Sequence, residues 1–147
     1  MNADAATETR TLVIERDMPH PPQKVWRALT QGPLLEDWLM QNDFEPRVGK
    51  KFNFCTNPMP QWNGVVDCEV LELEENQRLS YRWDVGGEAA GGLKTVVTFT
   101  LTPTESGTHL RMEQSGFGPG QERNYQGAAY GWQKFLGGLE RVLGGSA

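Results

Sequence analysis

From Tyr125 to Leu143 the chain reads YQGAAYGWQKFLGGLERVL. Tyr125, Ala128, Ala129, Trp132, Phe135, Leu136, Leu139, Val142 and Leu143 recur at the spacing of one helix face, a wide apolar stripe over about six turns. The spacing predicts one long amphipathic helix, which needs an apolar surface to lie on. Gly137-Gly138 falls inside it. Each glycine costs about 1 kcal/mol relative to alanine in a helix, so the pair predicts a close backbone approach or a bend. GFGPG at 116–120 reads as a hinged entry to this helix.

The surface for that helix lies upstream. From Phe44 to Gln114 the period is two, as in Lys51-Phe52-Asn53-Phe54-Cys55, the alternation of a strand with one wet face. Val66, Cys68 and Val70 share one face, but Leu71 and Leu73 belong to the other phase, which predicts a β-bulge near Val70-Leu71. Leu79, Tyr81 and Trp83 alternate cleanly and are followed by GGEAAGG at 86–92, a mobile hairpin by its glycines. Val97, Phe99 and Leu101 form one further row and Leu110 and Met112 another, separated by a turn from Pro103 to Gly107.

Ahead of the sheet residues, Thr11 to Asp17 is rich in β-formers and stops at Met18-Pro19. Pro21 and Pro22 start a short helix carrying Val25, Trp26 and Leu29, and Gly32-Pro33 starts a second with Leu35, Trp38 and Leu39, ending at Met40. Residues 1–9 read as a frayed tail, and 10–147 as a single domain without internal repeats. The fold class is α+β: strand, two short helices, antiparallel strands, and a long helix over the sheet.

Composition narrows the function. A 37% hydrophobic, 22% charged chain of 147 residues is globular, its apolar runs are too short for membrane insertion, and a net charge of -5 repels nucleic acid. The start MNADAATETR carries no secretion signal, so a cytoplasmic location is expected. There Cys55 and Cys68 stay reduced, as small buried hydrophobes. His20 and His109 lie far apart in sequence and in no ligand motif, which predicts no metal site, and both read as solvated. Ser115-Gly116 lacks the preceding glycine of a nucleophile elbow. Asp67 and Glu69 alternate with Val66, Cys68 and Val70, on the wet face rather than in an acid-base pair. No catalytic residue and no cofactor is predicted.

Pro22-x-x-Val25-Trp26-x-Ala28-Leu29, Trp38-Leu39, Val48-Gly49-x-x-Phe52, Gly64 through Cys68-Glu69-Val70-Leu71-Glu72, Leu79 to Trp83, and Gly131-Trp132 follow one another in this order. Together the segments resemble the activator-of-Hsp-ninety-ATPase homologue branch of the START-like, polyketide-cyclase-like (SRPBCC) superfamily. The resemblance implies a helix-grip fold, a curved antiparallel sheet wrapped around the long C-terminal helix. Between them it implies a tunnel used for lipids, polyketides or other apolar molecules, and in some members for reaction chemistry. In the eukaryotic co-chaperones a separate N-terminal domain supplies much of the chaperone docking, and only a short tail precedes Thr11 here.

The in-phase rows and the resemblance together place a ligand cavity against Phe52, Phe54, Tyr81, Trp83, Phe99, Leu110 and Met112, roofed by Trp132, Phe135 and Leu136. Trp26, Trp38 and Trp62 are further candidates, and each tryptophan is either cavity wall or plain core. Tyr81 either orients a ligand through its hydroxyl or bonds a backbone carbonyl as a core tyrosine. The expected partner is an apolar small molecule. A chaperone ATPase is the alternative, and a small cyclase- or hydrolase-like enzyme the third.

Overall fold

The computed structural model describes residues 9–58, 63–86 and 92–145. Trp62, most of the glycine-rich stretch at 86–92 and nearly all of the tail at 1–9 lie outside the described residues. Strand β1 (Arg10–Met18) leads into helices α1 (Pro22–Thr30) and α2 (Gly32–Trp38). The strands β2 (Gln41–Asn42), β3 (Lys51–Cys55), β4 (Val65–Glu74), β5 (Arg78–Val85), β6 (Leu93–Thr104) and β7 (Gly107–Phe117) follow, and then helix α3 (Glu122–Gly145). All pairings are antiparallel, in the order β1-β7-β6-β5-β4-β3-β2. From β2 to β7 each strand pairs with its neighbour in the chain, and β1 closes on β7. This is the α+β helix-grip arrangement.

Proline sets the helical segment. Pro21, at φ -67° and ψ 154°, and Pro22 at the first helical position fix the entry to α1. Gln31 ends α1 and starts α2: its N–H bonds the Arg27 carbonyl, and its own carbonyl accepts from Leu35 N, both at 2.9 Å. Trp38 then locks the two helices together by donating its indole N–H to the Ala28 carbonyl at 2.8 Å. Trp26 and Trp38 are both buried in the core.

The bulge falls where the phase slip places it. Val70 faces Tyr81 and Glu72 faces Ser80, so Leu71 is the extra residue and Leu73 returns to the inner row opposite Leu79. Three details differ from the sequence expectation. The sheet already begins at Gln41, in a two-residue strand too short to show a period, and Phe44 is a buried residue of the following connection. The turn expected over 103–107 shrinks to Glu105-Ser106, because Thr104 pairs with Gly107 and Pro103 with Thr108. Proline is tolerated there because β5 has already ended: Leu101 N makes its bond to Gln77 O, just outside that strand.

The third difference is at GFGPG, where Gly116 and Phe117 still belong to β7. Arg10 faces Phe117 and Thr11 faces Ser115, so Gly116 is a second bulge residue. It sits at φ +109°, with the place of a Cβ only 2.9 Å from the Lys94 carbonyl.

Helix α3 crosses the inner face and is tied to the edge strand β1 at two points. Arg10 pairs with Glu122 and lies over the Tyr125 ring, while Arg16 reaches Gln133 and Glu140. Arg16 is in phase with Leu12 and Ile14, an inward-pointing charge of the kind that protects sheet edges. Gly138 meets α2 at ordinary contact distance rather than in the close approach expected of the pair, since a Cβ there would stand 3.5 Å from both Cβ and the carbonyl oxygen of Trp38. The helix runs through both glycines without a break. Among the described residues no helix is long and apolar enough to cross a membrane.

Candidate ligand-binding face

Alternation along β3, β5, β6 and β7 brings Phe52, Phe54, Tyr81, Trp83, Phe99, Leu110 and Met112 to the inner face, and α3 lays Trp132, Phe135 and Leu136 over it. All of them are buried except Phe135, which is half-buried against the same core. The rings touch. Phe52 and Tyr81 meet edge to face at 5.3 Å and 85°, Tyr81 and Phe99 lie 6.2 Å apart, and Trp83 and Trp132 lie 5.3 Å apart. Phe44 adds a ring 5.0 Å from Phe52.

Inside this aromatic wall the Tyr81 hydroxyl has no hydrogen-bond partner. The side chain is wholly buried and its hydroxyl meets no acceptor, so it is not the core tyrosine bonded to a backbone carbonyl. Burial first, and the nearby Cys68 sulfur second, push its pKa well above the ordinary phenol value. The group is therefore a neutral O–H. Cys68 is likewise a neutral thiol, its pKa pushed up by burial and then by Asp67 and Asp84. Cys55 differs from expectation, because it follows Asn53 onto the outer face and is only half-buried.

A second polar side chain lies on the same face, where the sequence predicts apolar rows. Gln114 continues the inward row of Leu110 and Met112 and is 1% exposed. Its Oε1 accepts the Trp132 indole N–H at 2.8 Å, and its Nε2 donates to Thr95 Oγ1 at 2.9 Å. Thr95 in turn donates to the Trp83 carbonyl at 2.8 Å. The chain of bonds fastens α3 to β7 and β6 through a polar residue at an apolar position, and that position was the available sequence signal. Tyr81 and Gln114 both face Val97, one from each side, which separates their backbones by about 10 Å at ordinary strand spacing.

Helix α3 is buried unevenly. Its buried residues are Trp132, Leu136, Gly138, Leu139 and Leu143, none of them in the first ten positions. Tyr125, Ala128 and Ala129, the start of the stripe, are only partly buried.

The outer face has a different chemistry. Lys51, Asn53, Asp67, Glu69, Arg82 and Asp84 line a groove of about 390 Å³ there, with Asn53 Nδ2 on Asp67 Oδ1 at 2.7 Å. Such a charged, wet surface offers an apolar molecule little. His109, expected to be solvated, is held on both sides: Nδ1 lies 2.7 Å from Asp17 and Nε2 2.8 Å from Glu15. The two carboxylates raise its pKa. Cross-strand register explains the contact, since β1 sets Asp17 opposite His109 and Glu15 opposite Arg111.

Solved structures with this architecture include the MLL2253 protein of Mesorhizobium loti, 55% identical, with a TM-score of 0.88 over 94% of this chain and 99% of that one. DynU16, from the dynemicin biosynthetic locus, is 25% identical with a TM-score of 0.78 over 92% of this chain, which spans 47% of DynU16. CalU16 of Micromonospora echinospora shares the fold at 22% identity, with a TM-score of 0.74 over 92% of this chain and 76% of that one. No curated protein matches the chain. Residues 19–144 match the model of one family, and on that match the chain belongs to the Activator of Hsp90 ATPase homolog 1-like proteins.

Proposed function

We propose that the chain binds an apolar small molecule between the inner face of the sheet and α3. Phe52, Phe54, Tyr81, Trp83, Phe99, Leu110 and Met112 form the wall, and Trp132, Phe135 and Leu136 the roof. The observation that carries this reading is the wholly buried Tyr81 hydroxyl without a partner. An orphaned buried polar atom is rare and costs about 1–3 kcal/mol, and a ligand atom bonded to it removes that penalty. The partly buried start of α3, at Tyr125, Ala128 and Ala129, supports a way in, because this half of the helix lifts with less apolar burial to lose. The two free thiols suit a reducing cytoplasm as the place of action.

The test is a thermal-shift screen of fatty acids, flavonoids and polyketide-like aromatics on wild type and Trp132→Ala. At a free concentration one hundred times Kd, linkage stabilises by about 2.7 kcal/mol, a shift of roughly 5 to 15 °C for a domain of this size. The reading fails if no compound shifts the melting point while Trp132→Ala costs about 3 to 5 kcal/mol, the loss for a ring packed in a filled core.

A second reading, assistance to a chaperone ATPase, is favoured by a cleft between α1, α2 and the end of α3. Ala28, Leu34, Val142 and Leu143 line it beside Lys24 and Arg27, and neither cation has an ion-pair partner among the described residues. Under this reading the protein changes the ATPase rate of a partner without any ligand, and Lys24→Glu with Arg27→Glu abolishes the change.

A further inference from the structure

We infer that the cleft between α1, α2 and the end of α3 takes an apolar side chain flanked by carboxylates, presented by a segment of an acidic partner protein. The cleft is that of the second reading above, but the partner need not be an ATPase, so this goes beyond that reading. Leu34 and Val142 are its half-buried walls, and Ala28 and Leu143, each 1% exposed, its floor. Its volume of about 140 Å³ lies under the roughly 300–1,000 Å³ of small-molecule pockets. It suits one anchoring side chain instead.

The rim decides the chemistry around that anchor. Each arginine of the strands, namely Arg10, Arg16, Arg78, Arg82 and Arg111, is held by a carboxylate. Lys24 and Arg27 on the rim have no ion-pair partner among the described residues, and α1, which carries both, contains no carboxylate. The adjoining C-terminal end of α3 has no basic residue in its last turn, and its dipole offsets the rim by about half a negative charge. Two cations exceed that, so the rim stays positive and favours carboxylates. An anionic membrane fits less well, since it attracts clusters of about four or more cations, whereas these two flank a recess.

The test is fluorescence anisotropy of the full chain with a labelled peptide that carries one leucine between glutamates. Its counterparts have glutamine for every glutamate, or alanine for the leucine. The acidic leucine peptide is expected to bind about tenfold more tightly than either, through rim ion pairs in one case and a buried leucine in the other. Lys24→Gln with Arg27→Gln removes the advantage over the glutamine peptide. Lys24→Glu with Arg27→Glu reverses it, so that a lysine-flanked leucine peptide binds instead. The three peptides on wild type decide the matter even where a variant folds poorly. The inference is overturned if the acidic peptide binds no better than its counterparts, or if its advantage survives in the glutamine variant. It is overturned equally if phosphatidylserine vesicles bind in the peptide's place, or if the chain alone sediments as a dimer that the glutamate variant breaks, which makes a second copy the occupant. A partner's ATPase rate is read separately: an unchanged rate beside peptide binding removes the chaperone reading alone.

Discussion

Trp132 on α3 donates its indole N–H to Gln114 on β7 at 2.8 Å, and the two side chains are 2% and 1% exposed. The bond joins the helix to the sheet at the first buried residue of α3, where the helix passes from loosely to tightly held. Gln114→Met keeps most of the volume and leaves the indole N–H without an acceptor, so it is expected to destabilise by about 1–3 kcal/mol. Trp132→Phe strands the amide oxygen instead. In a double-mutant cycle followed by urea unfolding, the coupling between the two is expected to exceed about 0.5 kcal/mol, and additive losses show that the bond contributes nothing.

The paired glycines of α3 make separable predictions. At Gly137 a Cβ meets only Arg141 Nη1, at 3.9 Å, and at Gly138 it meets Trp38 at ordinary contact distance. Alanine therefore fits at both and is expected to stabilise each by about 1 kcal/mol through helix propensity. Gly138→Leu differs, because the atoms beyond Cβ run into the backbone of α2, and a loss of about 1–3 kcal/mol is expected. Melting curves of the three variants decide it. A destabilising Gly138→Ala means that in solution the Cβ position lies closer to Trp38 than 3.5 Å.

The sequence made the inner face readable because alternation is local. Phe52 and Phe54, Tyr81 and Trp83, and Leu110 and Met112 declare their side of the sheet within a few residues, and the slip at Leu71 declares the bulge in the same way. Gln114 stands in the same phase, but a polar side chain does not extend an apolar row. Its bond to Trp132 depends on where a helix lands on a strand, which no local period encodes. The same is true of His109: its phase placed it outside, but the carboxylates beside it come from β1, at the far end of the chain. The orphaned Tyr81 hydroxyl is a tertiary fact as well, for a phenol among phenylalanines can always find a carbonyl until the packing is known.

The His109 cluster ties stability to pH. Asp17 and Glu15 raise the folded pKa of His109 above its ordinary value of about 6.5, so the folded state favours the imidazolium. Its contribution is fully present below the unfolded pKa and is lost as pH rises through the folded one. The urea midpoint of wild type is therefore expected to fall between about pH 6.5 and the folded value, relative to that of His109→Gln. Because the cluster is exposed, added salt is expected to shrink the difference. Parallel pH profiles for the two proteins mean that the carboxylates do not hold the ring in solution.

Tyr81→Phe separates a structural role from a binding role by the sign of its effects. A tyrosine kept for the fold uses its hydroxyl, and losing that hydroxyl weakens the protein. Here the hydroxyl is buried without a partner, so its removal relieves a desolvated group and is expected to stabilise the unliganded chain by about 1 kcal/mol, the lower end of the range for such orphans. A residue that lowers stability where phenylalanine fits equally well calls for a functional reason. Binding supplies one: the substitution that raises the melting point of the empty protein is expected to reduce the further shift produced by a ligand that bonds the hydroxyl. Melting curves of both proteins, with and without a compound that shifts the wild type in the screen, give the two signs together. A lower melting point for the unliganded variant means that the hydroxyl is satisfied in solution, and the case for Tyr81 as a binding group is lost.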